Sequence, residues 1–278
     1  MKKAIQFMII SALAFTLLNV GVKYLGKFNV YQIVFFRALG SLFFTFPFLL
    51  KNKISFIGNK VKLLVARSIV GLIAMTMFFA SIKLLPTGTA VSIRYIAPIF
   101  AALFALFLLK ERIKPIQWLF FIAAFCGVLM LKGLETNVDS LGFVFALISA
   151  LFTGLVFIII RRIGNQDHPM VIVNYFMVTS FIIAGILSIK YWIQPIGIEW
   201  VALLSLGVFG YFGQIYMTKA LQTSETRLVA PLKYIEVVFT MLAGVIWFTE
   251  DYTIVTILGM ILIITSLVLN VIVVKRKQ

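Results

Sequence analysis

Four charged side chains stand inside apolar stretches of this 278-residue chain: Arg37, Arg94, Lys233 and Glu236. A cation at the centre of a membrane helix costs roughly 2.5–3.5 kcal/mol on insertion scales, and such residues mark binding sites or ion pathways by default. A planar guanidinium takes a carboxylate through two parallel hydrogen bonds. Three cations and one acid therefore describe a pocket for an anionic group on a small molecule. Blander readings compete. Glu236 and Lys233 share one helix face, so they can neutralise each other. Glu236 can also pair with Arg37 or Arg94 across a bundle. Long arginine side chains can instead reach outward to the interface. Glu236 is the one acid deep in an apolar stretch, which makes it the proton-coupling candidate. Desolvation disfavours a charged carboxylate, and a nearby cation favours it.

Polar but neutral groups come next. Tyr95 and Tyr234 sit beside Arg94 and Lys233, and Asn19, Asn174 and Gln214 are the in-span amides. All five are candidate substrate contacts. Interhelical hydrogen bonds, worth about 0.6 kcal/mol on average, explain many such groups equally well. Gln214 and Tyr216 point to different faces of one helix, so at most one of them lines a cavity. Glycines 207, 210 and 213 form a ridge that reads first as close helix packing. No residue is expected to be catalytic. The sole histidine, His168, has no acid or cysteine at ligand spacing, so neither a metal site nor a cofactor is expected.

These groups need a membrane bundle to position them. Hydrophobic residues make up 62% of the chain and charged residues 12%, against about 25% charged in a soluble domain. The net charge of +16 lies in short connections. No basic face exists for a duplex to meet, so nucleic acid is not an expected partner. The single cysteine, Cys126, excludes an internal disulfide. Apolar length and breakers predict an all-α polytopic membrane protein with ten transmembrane helices, near 4–22, 30–50, 63–82, 88–109, 115–132, 140–160, 169–189, 198–218, 227–248 and 253–274. The first stretch looks like a signal peptide, with Lys2 and Lys3 before an apolar run. Its residues Phe7, Ile10, Ser11, Ala12 and Leu13 recur as Phe145, Ile148, Ser149, Ala150 and Leu151. A cleaved leader has no reason to recur, so the stretch reads as a helix. Lys and Arg crowd one set of ends, among them Lys51, Lys53, Arg67, Lys110, Arg112, Arg161 and Lys219. The opposite ends hold only Lys23, Lys27, Lys83, Lys132 and Lys190. The positive-inside rule then places both termini in the cytoplasm.

The strongest signal is a repeat at an offset of 139 residues. Arg94, Tyr95, Ile96, Phe100 and Glu111 return as Lys233, Tyr234, Ile235, Phe239 and Glu250. Each half, 1–138 and 139–278, then carries five spans, and an odd number turns the second half upside down. Inverted repeats build carriers with a midplane site between the halves. Arg94 lies about 9 Å into its helix from one face of the membrane, and Lys233 about as far from the other. Glu111 and Glu250, at helix ends, read as end-setting or ion-pairing acids rather than substrate ligands.

The ten spans, the two five-helix halves, and the run from Ala90 to Glu111 with Pro98 inside and LLKERI at its end resemble the drug/metabolite transporter superfamily, EamA-type branch. The resemblance covers essentially the whole chain. One departure stands out: Val237 occupies the position of Pro98, and the nearby proline is Pro231. The resemblance implies a secondary transporter of small metabolites, with a monomer or homodimer in the bacterial inner membrane. The expectation is alternating access for an anionic or zwitterionic solute. A channel and a membrane-embedded enzyme are the rival classes. The first lacks a reason for internal inverted pairing, and the second lacks a nucleophile with a base.

Overall fold

A computed structural model describes residues 2–108, 115–133, 139–223 and 234–275. The described residues are helical apart from short connections. In order they are α1 (Lys2–Tyr24), α2 (Val30–Lys51), α3 (Val61–Leu84), α4 (Thr87–Arg94), α5 (Ala97–Leu108), α6 (Pro115–Gly133), α7 (Ser140–Ile163), α8 (Pro169–Ile189), α9 (Glu199–Thr223), α10 (Ile235–Phe248) and α11 (Ile254–Lys275). Counting α4 with α5, seven stretches are long and apolar enough to cross a membrane, and three shorter apolar stretches lie at 115–131, 235–248 and 254–270. The helix starts are written locally. Asn29 accepts from the Tyr31 N–H, Asp139 from the Gly142 N–H, and His168 from the Met170 N–H just after the Pro169 start of α8.

The fourth apolar stretch is not one continuous helix. Pro98 lacks an N–H for the Arg94 carbonyl, and its ring crowds that same carbonyl. The helix stops at Arg94, where the Tyr95 N–H falls back on Val91 and Ser92 and the Ile96 N–H on Ile93. Helix resumes at Ala97. The distortion expected at Pro98 thus falls one turn earlier, at the charged residue. The counterpart α10 starts at Ile235, and Pro231 lies outside the described residues.

Packing repeats between the halves. The α1–α9 and α3–α7 contacts are the two most extensive of their kind, and exchanging the halves turns one into the other. Single hydrogen bonds follow the same exchange. Ser11 Oγ donates to the Gly213 carbonyl at 2.7 Å, and Ser149 Oγ to the Ala74 carbonyl at 2.8 Å. The α2–α8 and α6–α11 contacts map onto themselves. Small residues permit the closest crossings. A Cβ on Gly40 would lie 2.9 Å from the Gly207 Cα. A Cβ on Gly127 would meet the Gly259 carbonyl at 2.8 Å, and one on Gly259 the Gly127 carbonyl at 2.9 Å. Gly207, Gly210 and Gly213 press against Gly40, Arg37 and Phe15, so the ridge is a packing surface for α2 and α1. Gly207→Leu is expected to cost about 3 kcal/mol or more by overpacking. Thermal unfolding in detergent should show it, while Val201→Leu at an exposed position leaves the midpoint unchanged.

Large apolar side chains stay on the outside, including Phe43, Phe107, Ile186, Ile246 and Trp247. In water such a belt would aggregate; against acyl chains it is neutral.

Candidate functional site

Between the halves lies a cavity of about 460 Å³. One face of α3 forms its wall, with Arg67, Gly71, Met75 and Phe78 at turn spacing. The guanidinium of Arg94 lies 4.1 Å from the centre of the Phe78 ring. Arg37 points a nitrogen at the Met75 sulfur, 2.6 Å away, and lies 5.8 Å from the centre of the Phe79 ring. Arg67 stacks on Phe176 at 4.2 Å. Three guanidiniums thus rest on apolar and aromatic surfaces, as cations do over ring faces. None of them makes an ion pair with a described residue.

The helix break at Tyr95 matters here. It turns the Tyr95 hydroxyl onto Glu236 Oε2 at 2.7 Å. Asn19 Nδ2 donates to Oε1 of the same carboxylate at 3.3 Å. Two neutral donors therefore hold Glu236, and the alternative pairing with Arg37 or Arg94 does not form; Lys233, the other alternative, lies outside the described residues. Tyr95 and Tyr234, equivalent in the two halves, meet edge to face with centroids 5.1 Å apart. An exchange axis relating the halves must run close to this contact.

Of the residues singled out by sequence, Arg37, Arg94, Tyr95, Tyr234, Glu236 and Gln214 line the cavity. Asn19 supports Glu236 from α1. Lys233 lies outside the described residues. Asn174 does not line the cavity: its Oδ1 accepts from Thr45 Oγ1 at 3.1 Å. Thr45 borders a second hollow of about 250 Å³ with Phe48, His168 and Tyr211, and Gln214 is common to both spaces. Tyr216 packs on Phe7 and Phe212, away from Gln214's face.

Arg67 was missed. It counts naturally as one of the basic residues at an interface, yet it is 7% exposed and its Nε and one terminal nitrogen have no partner among the described residues. The available signal was depth. With α3 starting at Val61, Arg67 is about 9 Å from the helix end at 1.5 Å per residue, as deep as Arg94 is in its own helix.

At the start of α4, away from the cavity-lining Val91 and Arg94, stands Glu250. This carboxylate accepts from the Thr87 N–H at 2.8 Å and the Thr87 hydroxyl at 2.8 Å, so it caps α4 from the other half of the chain. Tyr252 donates to it at 2.6 Å and accepts from the Gly88 N–H at 3.0 Å, while Lys23 approaches it at 3.5 Å. Glu250 is thus a helix-end and ion-pairing acid. Its sequence counterpart Glu111 lies outside the described residues.

An apolar helical bundle around a buried, arginine-lined cavity, with exchange symmetry between its halves, is the architecture of a membrane carrier for small solutes. The chain belongs to the EamA-like transporter family, which matches residues 2–132 and 140–272, once in each half. It is a multi-pass membrane protein of the drug/metabolite transporter type rather than an enzyme. It is 25% identical over 269 residues to the pseudopaline exporter CntI of Pseudomonas aeruginosa, covering 96% of this chain and 95% of that one. It is 28% identical over 280 residues to human solute carrier family 35 member G1, covering 94% and 76%. The S-adenosylmethionine uptake transporter of Rickettsia prowazekii is 23% identical over 248 residues, covering 88% and 84%. A solved protein crystal structure matches the fold with a TM-score of 0.70 at 19% identity, covering 98% of this chain and 97% of the other.

Proposed function

We propose that the protein is a secondary transporter moving a small anionic or zwitterionic metabolite across a bacterial inner membrane by alternating access. The observation that carries this reading is the charge of the cavity: Arg37, Arg67 and Arg94 face it, and the one carboxylate there is held by tyrosine and asparagine. An uncompensated cationic hollow in low dielectric is a site for an anion. Arg94 and Arg37, with Lys233 from the second half, bind the acidic group. Tyr95, Tyr234 and Gln214 orient the remainder, Asn19 acts through Glu236, and Glu236 offers a place for an amine or a proton. Asn174 acts through Thr45, which it holds at the edge of the second hollow. The halves 1–138 and 139–278 form five-span units inverted about the bilayer plane, giving ten spans with both termini in the cytoplasm. Glu250 then closes the outer side. Relatives named as an exporter and as an uptake transporter fit flux in either direction. The protein works as a monomer or homodimer in lipid, with no nucleic-acid partner and no cofactor.

The test is flux in proteoliposomes, using an anion found by thermal-shift screening of metabolites. Saturable uptake stimulated by the same solute on the far side marks a carrier; single-channel conductance would sink the reading in favour of a pore. A second assay addresses Glu236. Uptake by the unaltered protein is expected to respond to an imposed proton gradient, and Glu236→Gln to lose that response while still exchanging substrate. An unchanged response removes Glu236 from coupling.

A further inference from the structure

The Arg67 side chain points the wrong way for a residue near a membrane surface. It belongs to the first third of α3, whose nearest end is at Val61. Snorkelling would carry its guanidinium towards that end. Instead the guanidinium lies beside Gly71, one turn deeper: a Cβ on Gly71 would meet an Arg67 terminal nitrogen at 3.3 Å and the Phe176 ring at 3.2 Å. A side chain at this position would press on both groups. The group is 7% exposed, faces the cavity, and keeps Nε and a terminal nitrogen free of partners among the described residues. Buried donors of this kind are costly to leave unmade. A fixed, unpartnered guanidinium aimed at a cavity is a ligand site.

The other two guanidiniums sit further along the same helix. Arg37 is at the level of Met75, one turn beyond Gly71, and Arg94 at the level of Phe78, two turns beyond. At 5.4 Å per turn, Arg67 is separated from them along α3 by about 5–11 Å. A single carboxylate does not reach from Arg67 to Arg94, the two ends of this row, about 11 Å apart along the helix; two acid groups on one short chain do.

We propose that Arg67 forms a second anion subsite, opposite Arg94 and Arg37, and that the transported substrate carries two acidic groups separated by a short chain. This rests on the transporter reading above and narrows its substrate class. Arg94 and Arg37 take one acid group, and Arg67, stacked on Phe176, takes the other. Glu236 stays with Tyr95 and Asn19 and leaves the cavity's positive excess to the substrate.

The experiment measures binding to the purified full-length protein by isothermal titration calorimetry. The probes are butyrate, with one acid group; succinate, glutarate and adipate, with two at increasing separation; and inorganic phosphate, with its charge on one centre. The expected result is that one or more of the dicarboxylates binds at least tenfold tighter than butyrate and phosphate. Arg67→Gln is expected to erase that preference, bringing the dicarboxylates down to the affinity of butyrate, and Arg67→Lys to restore part of it. Gly71→Ala crowds the guanidinium without removing charge and is expected to weaken dicarboxylates several-fold, which tests the subsite even if Arg67→Gln fails to fold. Equal binding of butyrate and every dicarboxylate, tightest binding by phosphate, or a dicarboxylate preference that survives both variants would overturn the subsite alone. If the unaltered protein binds no probe, or binding ignores Arg94→Gln, both the subsite and the anion-carrier reading fall.

Discussion

Arg94→Gln is expected to abolish measurable uptake at substrate concentrations that saturate the unaltered protein. The guanidinium lies over the Phe78 ring in the wall of the cavity and has no carboxylate partner among the described residues. On the proposed reading its partner is the substrate. Hydrogen bonds to charged groups contribute about 1.5–3 kcal/mol each, and a guanidinium offers a carboxylate two of them. Losing both predicts an affinity lower by at least a hundredfold, from 1.4 kcal/mol per factor of ten. Lysine supplies the charge but not the fork, so Arg94→Lys should recover only part of the loss. Counterflow into proteoliposomes reads this directly. Unfolding is not the expected cause, because removing a charge with no ion-pair partner among the described residues leaves no described acid unpaired. Equal affinity in Arg94→Gln and the unaltered protein would place the substrate elsewhere.

Glu250→Gln is expected to give the second largest effect, on access rather than affinity. This carboxylate collects the Thr87 N–H, the Thr87 hydroxyl, the Tyr252 hydroxyl and Lys23, joining the end of α10 to the start of α4. Neutralising the carboxylate weakens several charge-assisted hydrogen bonds at once, each contributing about 1.5–3 kcal/mol. Under the alternating access proposed above, that cost falls on the state closed at this end, where the partners meet. The equilibrium should shift towards opening at this end by a factor of more than a hundred. A cysteine replacing Ser92, one turn inside the cap, should then react faster with a membrane-impermeant thiol reagent added from that side. Turnover should fall, because return to the closed state becomes limiting. Glu111→Gln, at the mirrored sequence position, is expected to bias access the opposite way. Unaltered labelling in both variants would mean these acids merely finish helices.

Much of this architecture is legible in the chain. Apolar length gives the helices to within a few residues at most ends, because nothing but a helix satisfies its backbone in lipid. The offset pairing of Arg94 with Lys233 and Tyr95 with Tyr234 points to the cavity, and the structure puts those two tyrosines in contact. What escapes the sequence depends on side-chain direction. Arg67 looks like an interfacial base because its neighbours Lys60 and Lys62 are; only the gap over Gly71 shows that it turns inward. Glu236 looks like an ion-pair partner because cations are nearby in sequence and span. Its actual donors, Tyr95 and Asn19, come from two other helices. Asn174 looks like any in-span amide, and its turn towards Thr45 rather than the cavity follows from how α8 is rotated against α2. The break before Pro98 is foreseeable in kind but not in place, since the ring acts on a carbonyl a full turn upstream.

The central claim is that one hollow between two inverted halves is reached from each side of the membrane in turn. The most direct measurement replaces the lone Cys126 by Ala, introduces Thr153→Cys in the cavity wall, and labels reconstituted protein of known orientation with an impermeant thiol reagent from either side. The account predicts labelling from both sides, slowed from both by saturating substrate, with Glu250→Gln raising the rate on one side and lowering it on the other. Labelling from a single side, untouched by substrate, would contradict it.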